Sequence, residues 1–579
     1  MAEAEHSFRA PRYDNEDVSP TSERELRGWY STGLAAEIYA VCGVGSFAPV
    51  TLEQFAREAG VLRSDGVSSC IKPKAGNAAR RLAETVARAA ESSNDDLSNQ
   101  CVIWPFGRPI ATQSFAMYTF SMAVFVQALV LISFSPVADY GTYRKRLMMG
   151  FAFTGAFLTM SMVFVWPKVY LLGSLFTIIG VVCLGSTFVL LNSFLPLLAA
   201  NHPTVSHAQT KSQAACGQAD KTSPELKLST QISSKGVGLG YAAAVSVQIL
   251  CIILLVLLKK ANFASESTPL RCVLLLVGVC WSLLTLPGSL WLRDRPGPSL
   301  RVVQPWKSKL PAVVQYLVFA WGSVWKTVKT AAKLRQVWVF LIAWFLLSDA
   351  IATVSGTAIM FARTELEMST TAIALLSITA TLSGIAGAFT WPHILRRLKL
   401  QTKHTIIGCM IIMEIIPLYG LLGFVPFIKS WGVLGLQQAW EIYPLGFVHG
   451  FVMGGLSSYC RSFYGEIIPP GSEAAFYALY AITDKGSSAV GPAIVGAMVD
   501  AVGTIRPAFG FLAILIALPM PLVYLVDVQK GRAEAVAMSK HIAHATGGIT
   551  MQDYDDERET DAGEGLLRQQ PDDEDEAQR

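Results

Sequence analysis

Pro136-Val137-Ala138-Asp139-Tyr140-Gly141-Thr142-Tyr143-Arg144-Lys145-Arg146 joins two long apolar stretches, 112–136 and 147–166. A helix rises about 1.5 Å per residue, so about 20 apolar residues suffice to cross a bilayer. A connection this short makes the two stretches antiparallel neighbours, with Gly141 supplying the tight turn. Arg144, Lys145 and Arg146 mark the turn as cytosolic, because short basic loops stay on that side. Asp139 has two readings. It can simply cap the next helix while the basic cluster anchors to headgroups. It can also pair with an arginine or a helix N-terminus elsewhere in a bundle and hold one conformation closed. The second is the expected role of Asp139, Gly141, Arg144 and Lys145.

Outward from this turn, the pattern repeats to give about twelve spans of membrane-crossing length. They are 28–50, 112–136, 147–166, 169–198, 232–258, 270–292, 336–361, 370–392, 405–426, 441–460, 473–499 and 507–527. The 579 residues are 52% hydrophobic and 16% charged, against about 25% charged in soluble domains. A net charge of +4 gives no reason to expect a nucleic-acid partner. The expected fold is an all-α membrane protein of twelve transmembrane helices in two pseudo-symmetric six-helix bundles. Residues 1–27 form a cytosolic N-terminal tail, and 28–292 the first bundle, with loop 51–111 facing a lumen or the exterior. Residues 293–335 form a basic cytosolic loop, 336–527 the second bundle, and 528–579 an acidic, disordered cytosolic tail. Val313, Leu317, Trp321, Trp325 and Val328 against Lys326, Lys329 and Lys333 read as an amphipathic surface helix over 311–335, or as a solvated linker. Cys70 and Cys101 lie in the polar loop 51–111 and either form a disulfide or remain free thiols. Trp166, Trp281 and Trp291 read as interfacial anchors.

An internal echo supports the duplication. Ile232-Ser233-Ser234-Lys235-Gly236 opens span five, and Ile482-Thr483-Asp484-Lys485-Gly486 recurs in span eleven. Glu37 in span one and Asp349 in span seven occupy equivalent places. Paired echoes of this kind accompany parallel repeats in transporters. Charges inside a bilayer cost several kcal/mol unless they face a cavity or a partner. Glu37 and Asp349 are therefore the first candidates for holding a substrate ammonium group or a proton. Lys235 and Lys485 can hold a carboxylate or pair with those acids, and Asp484 completes the expected substrate or proton path. For each, an interhelical hydrogen bond or buried ion pair is the competing reading. Glu414 and His449 are weaker candidates, while Asn192, Gln127 and Gln248 read as helix-bridging amides. The chain carries no nucleotide loop, catalytic triad or metal spacing, so neither an enzyme nor a cofactor is expected.

Two resemblances follow. The acidic, glycine-turned, basic loop after span two is similar to that of the major facilitator superfamily. Glu25-Leu26-Arg27-Gly28-Trp29-Tyr30, Gly33-Leu34-Ala35-Ala36-Glu37 and Val41-Cys42-Gly43-Val44-Gly45-Ser46-Phe47 resemble the opening of the fungal autophagy-related protein 22 family. Ala138-Asp139-Tyr140-Gly141, Asn192-Ser193-Phe194-Leu195-Pro196 and Thr483-Asp484-Lys485-Gly486-Ser487-Ser488 continue the match, which covers about 25–530. The resemblance implies a multi-pass protein of the vacuolar membrane with both termini cytosolic. It implies efflux of amino acids (leucine, isoleucine, tyrosine and other large neutral ones) after autophagic breakdown, sustaining protein synthesis in nitrogen starvation. It brings no set of binding residues. Alternating access, with protons as a possible coupling ion, is the expected mechanism. A non-transporting factor or sensor in autophagic-body breakdown, or a facilitator for another small solute, are the alternatives.

Overall fold

A computed structural model describes residues 16–62, 68–70, 101–107, 110–205, 224–260, 267–297, 328–366, 370–398, 401–487 and 505–545, with a few single residues between them. Helix α1 (Glu23–Ile38) begins where the Ser22 hydroxyl accepts the Glu25 N–H at 3.2 Å. Glu23 and Glu25 in its first turn complement the positive end of the helix. The rod continues through a π-helical stretch, Tyr39–Phe47, into α2 (Ala48–Ala59). Such widened turns inside α-helices occur frequently at functional sites.

A three-stranded antiparallel sheet follows, β1 (Val61–Leu62), β2 (Cys101–Ile103) and β3 (Ile110–Ala111). Beside it Cys70 and Cys101 form a disulfide, their Cα atoms 5.8 Å apart. The first half is completed by α3 (Thr112–Ala138), α4 (Tyr143–Ser161), α5 (Tyr170–Ala200), α6 (Pro224–Lys260) and α7 (Thr268–Trp291). The second half holds α8 (Arg335–Thr364), α9 (Thr370–Arg397), α10 (Thr402–Leu422), α11 (Ile442–Ile467), α12 (Glu473–Ser487), α13 (Ala508–Ala517) and α14 (Pro519–Leu525).

Ten helical segments among the described residues are long and apolar enough to cross a membrane. The stretches expected at 441–460 and 473–499 are helical in α11 and α12 but are not among the ten. In α11 glycines and charged residues lower the hydropathy that identifies a span, whereas α12 is described only as far as Ser487, short of membrane-crossing length. Apolar side chains such as Ile249, Leu250, Ile253 and Leu257 are half or more exposed on α6. This is the inversion expected of helices solvated by lipid rather than water.

The halves meet through α6 against α9 and α11, and through α12 against α3 and α5. Both described chain ends lie on one face of the bundle, called the terminal face here. There Thr21 N–H donates to Asn201 O at 2.8 Å, and Asp527 N–H to Gln336 Oε1 at 2.9 Å.

Two expectations need correction. Residues 528–545 are not disordered: α15 (Val528–Ala545) is a helix, anchored by Arg532, which pairs with Glu225 at 2.7 Å and Glu466 at 3.5 Å. Trp281 is no interfacial anchor, because it is fully buried and stacks on Tyr39 at 4.4 Å. Most of the 311–335 segment lies outside the described residues, with 328–333 helical and Trp321 and Trp325 exposed.

Candidate functional site

The Asp139 turn sits on the terminal face, directly against the start of α12. Gly471, with φ +86°, lets the chain reverse into that helix. This leaves the first amides of α12 pointing outward without partners of their own. The N–H groups of Ala474 and Ala475 donate to Asp139 Oδ1 and Oδ2 at 2.6 and 2.8 Å. Arg144 Nη2 donates to Asp139 Oδ1 and to Glu473 Oε2, each at 3.0 Å. All three side chains are buried. Two carboxylates thus share one guanidinium at a positive helix end, and the bonds run from the first half to the second. Burial pushes the Asp139 carboxyl up to about 7; the Arg144 charge opposes the rise, Glu473 adds to it, and the two amides oppose it.

Gly141 has φ +50°, and its carbonyl accepts the Gly297 N–H at 2.8 Å, tying the turn to the segment after α7. Lys145 reaches Asp294 at 3.7 Å, partly exposed. The sequence expected Asp139 to meet an arginine or a helix N-terminus. It meets both, and Glu473 is a third member that its position at a helix start did not mark out.

A second polar group lies deeper, where the halves meet. Glu37 stands about 21 Å along α1 at 1.5 Å per residue, packed on Gly240 of α6, where a Cβ would approach Glu37 Cγ to 2.7 Å. Asp349 of α8 lies against Gly491, beyond the end of α12. Its Oδ1 accepts the Gly491 N–H at 2.9 Å, and a Cβ on Gly491 would stand 3.0 Å from that oxygen. The acid of each half's first helix therefore lies against a glycine, Gly240 in one half and Gly491 in the other, at positions one residue out of step with the Lys-Gly echoes.

Beyond this parallel the two acids differ. Asp349 and Asp484 bind their own half together, with Ser348 Oγ donating to Asp484 Oδ1 at 2.5 Å. Glu37 makes neither a hydrogen bond nor an ion pair among the described residues, and the charge that acts on it is that of Arg461 on α11. Arg461 Nη1 donates across the halves to Asn192 Oδ1 on α5 at 3.1 Å.

The remaining candidates fall elsewhere. Lys235 is exposed, its ammonium 5.3 Å from the Tyr30 ring centre, away from Glu37. The Lys485 side chain lies outside the described residues. His449 Nε2 faces Ser355 Oγ at 3.3 Å inside the second half, and Glu414 sits on α10 with Oε2 buried.

Comparison with known proteins follows the same lines. A family model described as "Vacuole effluxer Atg22 like" matches residues 21–536. The chain is 53% identical to Autophagy-related protein 22 of Botryotinia fuckeliana, over 98% of this chain and 100% of that one. It is 52% identical to Autophagy-related protein 22-1 of Aspergillus clavatus, over 98% of each. Among solved structures it is similar to the human organic anion transporter MFSD10, with TM-score 0.54, 12% identity, and 87% of this chain and 100% of that one covered. It is also similar to the major facilitator proton:xylose symporter XylE, with TM-score 0.50, 13% identity, and 88% and 98% covered. On the family match over residues 21–536 and this shared architecture, the chain belongs to the Atg22-like vacuole effluxer family and has the major facilitator fold.

Proposed function

We propose that the chain is a multi-pass carrier of the vacuolar membrane that exports amino acids released by autophagic breakdown, leucine and other large neutral ones, from lumen to cytosol by alternating access. One observation carries the mechanism. The buried Asp139–Arg144–Glu473 cluster ties the two halves at the terminal face, in front of charged groups on the inter-half surface. A carrier needs such a bond in one state and must break it in the other. The terminal face is assigned to the cytosol because Arg144, Lys145, Arg146, Arg396 and Arg397 cluster there. The family description and the curated relatives' names support the vacuolar and autophagic setting.

The test is efflux of labelled leucine from vacuoles isolated from a strain lacking the native protein and re-expressing this chain. Efflux is expected to depend on the chain and to saturate, and Glu37→Gln or Asp349→Asn to slow it by tenfold or so. If purified protein in liposomes moves no amino acid under any gradient, transport of this class is excluded and a scaffold or sensor role takes its place. If both variants release leucine at the normal rate, those acids leave the mechanism.

A further inference from the structure

We propose that Glu37 and Arg461 are the two ends of one binding site for an α-amino acid zwitterion, Glu37 taking the ammonium group and Arg461 the carboxylate. The inference rests on the amino-acid reading above and adds the residues that recognise the head group. It begins from an imbalance. Glu37 is in the middle of a membrane helix, where an unpartnered carboxylate is costly. Among the described residues nothing hydrogen-bonds it. The guanidinium of Arg461 acts on it electrostatically, yet the two are not within the 4.0 Å of an ion pair. No ion pair joins these opposite charges, which lie on opposite halves where α6 packs on α11; there Ser233 Oγ donates to the Ser458 carbonyl at 3.2 Å, one turn from Arg461, and both charged side chains retain partial exposure.

Arg461 is held for such a task. Nη1 is fixed by Asn192, and its own backbone carbonyl accepts the Tyr477 hydroxyl at 3.0 Å. Nε and Nη2 make no hydrogen bond among the described residues, which leaves part of the guanidinium fork for a carboxylate. Asn192 also keeps the guanidinium joined to the first half, so the site is assembled from both halves. Tyr477 belongs to α12, the helix whose N-terminus holds Asp139 and whose first residue binds Arg144. Carboxylate binding on α11 is thus tied by the Tyr477 hydroxyl to α12, the helix that carries the lock, so substrate can act on it. On the Arg461 side Tyr480 stacks on Trp344 at 4.6 Å, an apolar wall suited to a large neutral side chain.

The experiment is competition against labelled leucine uptake in proteoliposomes by leucine, N-acetyl-leucine and leucinamide. N-acetyl-leucine lacks the ammonium charge and leucinamide lacks the carboxylate. Wild type is expected to reject both analogues at least about tenfold relative to leucine, the factor that about 1.4 kcal/mol of one charge-assisted bond produces. Glu37→Gln, isosteric and uncharged, is expected to lose the discrimination against N-acetyl-leucine while keeping that against leucinamide. Arg461→Gln is expected to do the reverse, and Arg461→Lys to retain part of it. Melting temperatures and size-exclusion profiles identify variants that fail to fold, and for these the selectivity of Arg461→Lys or Glu37→Asp decides. If wild type carries leucine but both variants keep its full selectivity, the site is overturned and the transport reading stands. A wild type that neither binds nor moves any amino acid overturns both.

Discussion

Asp139 concentrates the chemistry of the lock in one side chain. Its folded-state value lies near 7, well above the ordinary aspartate value of about 3.9. The locked state therefore takes up a proton in the range where the hydrated, opened state has already lost it. The linkage sign follows: the lock is fully weighted below about 4, weakens as pH rises toward about 7, and is flat above. Opening of the terminal face, read as alkylation of a cysteine placed at the buried Ala475, is expected to rise as pH goes from 5 to 7. Asp139→Asn should lose that dependence, and a variant with an unchanged pH profile would move the titration to another group. Asp139 was legible in sequence because a tight turn and a basic cluster flank it. Arg461 was not. Its helix reads as ending at residue 460, so an arginine there looks like a boundary charge, whereas α11 runs on to Ile467. Asn192, its partner, lies 269 positions away and reads alone as an amide between helices. For Lys235 the echo in sequence marks a position, not the direction of the side chain, which is exposed beside the Tyr30 ring.

Helix packing explains why the span at 441–460 was hard to read. In α11 the glycines that dilute hydropathy are the contact surface with α9. A Cβ on Gly450 would collide with the Ala380 carbonyl, and one on Gly454 with the Gly384 carbonyl. Trp391 Nε1 adds a bond to the Phe451 carbonyl at 3.1 Å. Close backbone approach replaces apolar bulk as the source of cohesion in lipid, where burying apolar surface gains little. Gly454→Val should therefore cost about 2–3 kcal/mol by overpacking. Gly408 on α10 is the control, since a Cβ there meets nothing within 4 Å. Gly408→Ala should be neutral or gain about 0.5–1 kcal/mol of helix propensity. Melting followed by intrinsic fluorescence in detergent separates the two; equal shifts would mean that α9 and α11 yield more readily than their packing implies.

Among the described residues, two charged bridges of unequal strength join the halves at the terminal face. Asp139, Arg144 and Glu473 are buried, and removing one partner of a buried pair costs about 3–5 kcal/mol. Arg532 on α15 joins Glu225 of the first half to Glu466 of the second, but it is 39% exposed, and solvent screening holds such pairs to about 1 kcal/mol or less. Spin labels at Tyr143→Cys and Lys530→Cys, in a background freed of other reactive cysteines, report the separation of the halves by pulsed EPR. Arg532→Gln is expected to change the distance distribution by less than about tenfold in population. Asp139→Asn should shift it toward the long-distance state by on the order of a hundredfold, a factor equivalent to about 3 kcal/mol. The flux then distinguishes a carrier from a pore. A pore with its gate unlocked conducts more, so leucine efflux would rise with the open population. A carrier must return through the locked state on every cycle, and a ligand can move it only by its differential affinity for the two states. Asp139→Asn should therefore open the terminal face and still slow leucine efflux, with steady-state rate falling as the open population grows. An efflux that increases in step with the EPR long-distance fraction would replace alternating access with a gated channel.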